Sequence, residues 1–88
     1  MGANVPFYIN YLNNELERKI EVNPGYSLRA FAKTLEIDPS QFSKILSRKT
    51  IPSLKLTEHI LLRLSISEKD RADFITSIAE EQKCKTIN

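Results

Sequence analysis

Tryptophan is absent from this 88-residue chain, and cysteine and histidine occur once each. A lone Cys84 closes no intrachain disulfide, and with only His59 beside it there is no Cys/His set for zinc. No metal and no cofactor are therefore expected. Two glycines and four prolines are too few turn formers for a many-stranded sheet, which leaves helices. No apolar run approaches the roughly 18 residues of a membrane span. The N-terminus lacks the basic segment and apolar stretch of a signal peptide. Met1-Gly2 is followed at the sixth position by Pro6, where a myristoylation site wants Ser or Thr. The expectation is a cytoplasmic protein with no membrane partner.

What is present suits one small domain. A hydrophobic fraction of 41% in 10.1 kDa supplies one modest core, and a charged fraction of 27% argues against wholesale disorder. The net charge of +2 is unevenly spread. Residues 26–66 carry Arg29, Lys33, Lys44, Arg48, Lys49, Lys55 and Arg63 against Glu36, Asp38 and Glu58, while both flanks are slightly acidic. A basic middle is the electrostatic footprint of a polyanion-binding surface; a solvated, mildly basic face is the plainer alternative.

Five helices are expected, with no strand. Pro6 suits a helix start, and Asn23-Pro24-Gly25 breaks the helix after Val22. Its apolar positions, from Phe7 to Ile20, span an arc wide enough for two surfaces. Ser27 caps a second helix, Leu28 to about Leu35, buried through Leu28, Phe31, Ala32 and Leu35. Asp38, Pro39 and Gln41 are an N-cap, a first-turn proline and a capping-box partner for a third helix ending near Ser47. Ser53 caps a fourth with Leu54, Thr57, Ile60, Leu61 and Leu64 buried, leaving Leu62 outside that stripe. Ser67 caps a fifth carrying Ala72, Phe74, Ile75, Ile78 and Ala79. Periodicity is lost after Gln82, so residues 1–82 are expected as the domain and 83–88 as a flexible tail.

The third helix divides cleanly. Phe42, Ile45 and Leu46 face inward, while Ser40, Ser43, Lys44 and Ser47 share the outer face, with Gln41 and Arg48 on one flank. Short hydroxyls, an amide and cations suit base edges and phosphates in a major groove.

The stretch from Leu28 to Ser47 resembles the twenty-residue helix-turn-helix of Cro-type phage repressors. The small residue at the helix crossing is Ala32, the residue packing back on the first helix is Phe42, and Ile45 and Leu46 close the pattern. The departure is Glu36, where that family has glycine in a left-handed turn, at a cost of roughly 1–2 kcal/mol. From Asn23 to Ala32, preceded by Phe7, Tyr11-Leu12 and Glu15-Leu16, the chain also looks like the N-terminal domain of a family of bacterial regulators. In that family such a domain precedes a larger region of unknown function. The resemblance implies a compact, all-α, five-helix lambda-repressor-like domain that binds double-stranded DNA as part of a transcriptional regulator. Ser40, Gln41, Ser43, Lys44 and Ser47 are the expected base contacts. Ser27, Arg29, Arg48, Lys49 and Lys55 are the expected phosphate contacts, and a homodimer is compatible with this expectation.

Nothing points to catalysis. The serines have no Ser/His/acid arrangement, and His59 lacks a partner at useful spacing and is expected on an exposed helical face. Cys84 reads as an ordinary free thiol. Tyr8 and Tyr11 sit on an acidic helix and read as core or interface residues, not base-stacking platforms. The alternative to DNA binding is a protein-interaction module, antitoxin- or adaptor-like, built on the same scaffold.

Overall fold

A computed structural model describes residues 5–86, with side chains as far as Lys83; the Cys84 side chain and residues 87–88 of the expected tail lie outside that description. The described chain is all-α: α1 Phe7–Val22, α2 Leu28–Thr34, α3 Pro39–Leu46, α4 Leu54–Arg63 and α5 Glu68–Thr86. No helix among the described residues is long and apolar enough to cross a membrane.

The expected caps hold the helix starts. Ser27, Asp38, Ser53 and Ser67 accept from the amides of Ala30, Gln41, Leu56 and Asp70 at 3.1–3.3 Å. Each satisfies an N–H that the first helical turn leaves without an intrahelical partner. Pro6 precedes α1, and its ring offers no acceptor to cap it. That role falls to α5, where Ser77 Oγ accepts from the Tyr8 amide at 3.1 Å and donates to the Phe74 carbonyl at 2.8 Å.

The core is built from two aromatic groups. Phe74 meets Tyr8 and Tyr11 edge-on, at 6.0 and 6.1 Å between centroids, joining α5 to α1. Phe42 meets Phe31 edge-on at 5.4 Å, joining α3 to α2. Helix α1 packs on both α5 and α3, which accounts for its wide apolar arc. Four expected core positions face solvent. Leu54 is 65% exposed, because the chain leaves the core through buried Pro52 before α4 begins. Ile20 lies where α1 outlasts the core, and Ala72 and Ala79 lie on the outer side of α5. Helix α5 also runs on to Thr86, past the point where hydrophobic periodicity ends.

Candidate nucleic-acid interface

Helices α2 and α3 are joined by a four-residue turn, Leu35 to Asp38, of defined geometry. Glu36 takes φ 59°, the left-handed conformation. Its amide donates to Lys33 O at 3.0 Å, and the Ile37 amide donates to Ala32 O at 2.9 Å. This is the Schellman closure of a helix, with a glutamate where glycine is usual. Buried Ile37 then anchors the chain, and Asp38 starts α3.

Helix α4 secures the turn from outside. His59 Nε2 lies 3.0 Å from Leu35 O and 3.1 Å from Glu36 O. Both are acceptors, so Nε2 carries the proton. Arg63 donates to Glu36 Oε1 at 3.1 Å and to His59 O at 3.0 Å. His59 is thus half-buried and structural, not the solvated residue expected from its helical position. Spacing within α4 carries no trace of a partner on the α2–α3 turn.

Beside α3, toward α4, runs an open groove of about 820 Å³. Ser40, Gln41 and Lys44 line it from α3, facing Thr50, Ser53 and Lys55, over a floor that includes Ile37, Ile45, Ile51 and Leu56. On the α2 side a second concavity of about 510 Å³ is bordered by Arg29, Lys33 and Pro39. Lys55 thus stands across the first groove from α3, and Arg29 and Lys33 border the second, with Glu36 lining both and Asp38 the first. Lys33 was not among the expected contacts, although its place one helical turn after Arg29 was a readable signal.

The other expected contacts scatter. Ser43 and Ser47 are exposed but line neither concavity, and the Ser47 hydroxyl donates to Lys44 O at 3.2 Å. Ser27 Oγ is engaged in capping α2, and Lys49 is exposed. Arg48 turns the other way. It lines a third concavity with Asp73, Glu80 and Glu81, and its guanidinium pairs with Glu81 at 3.0 Å. Beside that pair the buried Tyr8 hydroxyl has no hydrogen-bond partner among the described residues. Burial, then the Glu81 carboxylate, push it above the ordinary tyrosine range, with Arg48 pulling the other way. Among the described residues no three His, Cys, Asp or Glu side chains are placed to hold a metal ion.

No protein-family model, no curated protein and no solved structure matches the chain.

Proposed function

We propose that this domain is a non-catalytic, sequence-specific reader of double-stranded DNA, acting as part of a bacterial transcriptional regulator. In this proposal α2 and α3 form a helix-turn-helix and α3 enters the major groove. The observation that carries it is the gathering of Ser40, Gln41, Lys44 and Lys55 around one groove beside α3, and of Arg29 and Lys33 around a second that reaches α3 at Pro39. A helix is about 10–12 Å across with its side chains, and the major groove is about 12 Å wide. Cations flanking such a helix fall where the phosphate strands border the groove. Lys44 is proposed to reach guanine acceptors and Gln41 adenine. Arg29, Lys33, Lys49 and Lys55 are proposed to hold phosphates.

Two substitutions separate base reading from charge attraction. Lys44→Ala lowers affinity for a duplex selected from a random pool by about 1–3 kcal/mol and relaxes its sequence preference. Lys49→Ala weakens selected and scrambled duplexes alike and lowers the salt slope by about one unit. Competition binding at several salt concentrations reads both effects. Equal losses on both duplexes for both variants would remove Lys44 as a base reader.

A protein-interaction module is the second proposal, favoured by one observation. Leu54 and Leu62 stand 65% and 78% exposed on α4, more apolar surface than a DNA reader needs there. Binding to unselected duplex at low and moderate salt discriminates the two. Salt-sensitive binding supports the DNA reader, and no binding at low salt supports the interaction module.

A further inference from the structure

Two consecutive residues of α5 hold the two ends of the segment that leads from α3 to α4. At its start, Arg48 Nη2 lies 3.0 Å from Glu81 Oε2 and 3.4 Å from Oε1. Near its end, Gln82 Nε2 donates to Pro52 O at 3.1 Å. Arg48 sits directly behind the last turn of α3, at φ 65°. Its amide donates to Ile45 O at 3.1 Å, and the Lys49 amide donates to Lys44 O at 2.8 Å. The backbone that carries Lys44 is therefore closed by residues that α5 grips. The Glu81 side chain is only 13% exposed and that of Arg48 37%, so the charged pair is a part-buried, directional constraint.

We propose that Glu81 is a positioning residue. Through Arg48, and with Gln82 beside it, it sets how α3 is presented, so that discrimination between duplexes depends on it while general attraction to DNA does not. The role in discrimination rests on the DNA-reading proposal; the grip on α3 does not.

The charge of Glu81 makes the test decisive. A carboxylate near a DNA-binding surface repels phosphate, so Glu81→Gln should tighten binding to every duplex if Glu81 is merely a charge. If it positions α3, Glu81→Gln lowers affinity for the selected duplex by about threefold to tenfold. Affinity for a scrambled duplex, and its salt slope, then stay unchanged. In the DNA-free protein the Arg48 and Lys49 amides exchange hydrogen about threefold faster or more, because the closure behind α3 opens more often. Adding Arg48→Gln to Glu81→Gln costs no further discrimination, since the two side chains act as one unit. Parallel tightening on both duplexes, or wild-type exchange at Arg48 and Lys49, overturns the proposal. So does a salt slope lowered by about one unit in the double variant, which would make Arg48 a phosphate contact. If the wild-type protein binds no duplex at low salt, the DNA-reading proposal fails, and the exchange rates alone still decide whether Glu81 holds the end of α3.

Discussion

The ends of α2 and α3 share one backbone design and differ in how they are held. Each places a non-glycine residue in the left-handed region, Glu36 at φ 59° and Arg48 at φ 65°. Each is followed by the same pair of closing hydrogen bonds. Each left-handed residue then forms an ion pair with a later helix, and the pairs are inverted: Glu36 to Arg63 on α4, Arg48 to Glu81 on α5. The surroundings are what separate them. Glu36 is 65% exposed, and the turn it occupies is also tied down by His59. The Arg48 pair is the drier one and stands beside a buried tyrosine. A strained residue can thus be kept by hydrogen bonds around its backbone or by its own side chain. The first helix end relies more on the former, the second more on the latter.

Phe42 offers the largest break, because it packs α3 on α2 between the two ends. Phe42→Ala removes a fully buried ring and should cost about 3–5 kcal/mol, measured by denaturant titration. An unchanged midpoint would mean that the two ends are not coupled through the core.

Glycine at each left-handed position sharpens the contrast. Arg48→Gly relieves about 1 kcal/mol of strain but strands a mostly buried carboxylate costing about 2 kcal/mol, a net loss of about 1 kcal/mol. Glu36→Gly relieves the same strain and gives up an exposed pair worth about 0.5 kcal/mol, a net gain of about 0.5 kcal/mol. Thermal melts of the two variants should therefore shift in opposite directions. Equal shifts would show that burial does not distinguish the pairs.

Tyr8 tests the drier end alone. Tyr8→Phe deletes a buried hydroxyl that lacks a partner and should raise stability by about 1 kcal/mol near neutral pH. Because the folded-state pKa is raised, the fold holds the hydroxyl protonated in preference to ionised, and wild-type stability falls as pH rises past the unfolded value of about 10 and through the folded value. Denaturation midpoints measured between neutrality and strong alkali should fall less steeply for Tyr8→Phe than for the wild type. Parallel curves would place the alkaline titration elsewhere.

Local chemistry made much of this molecule readable in advance. A cap needs a hydroxyl or carboxylate only three residues from its amide, and a proline or a buried stripe announces itself within one or two turns. Ser27, Asp38, Ser53 and Ser67, the inward ring of Phe42 and the polar face of α3 follow from such spacing. The left-handed residue at Glu36 was signalled instead by the resemblance to the Cro-type turn, which has glycine at that place. The rest depended on partners far apart in the chain. His59 meets Leu35 across 24 residues, Arg48 meets Glu81 across 33, and Ser77 caps α1 across 69. Helical periodicity assigns a face to each of these residues but says nothing about which element will cover it. Only the packing of α4 and α5 decided that a solvated histidine would become a clasp and that one cation beside α3 would turn inward.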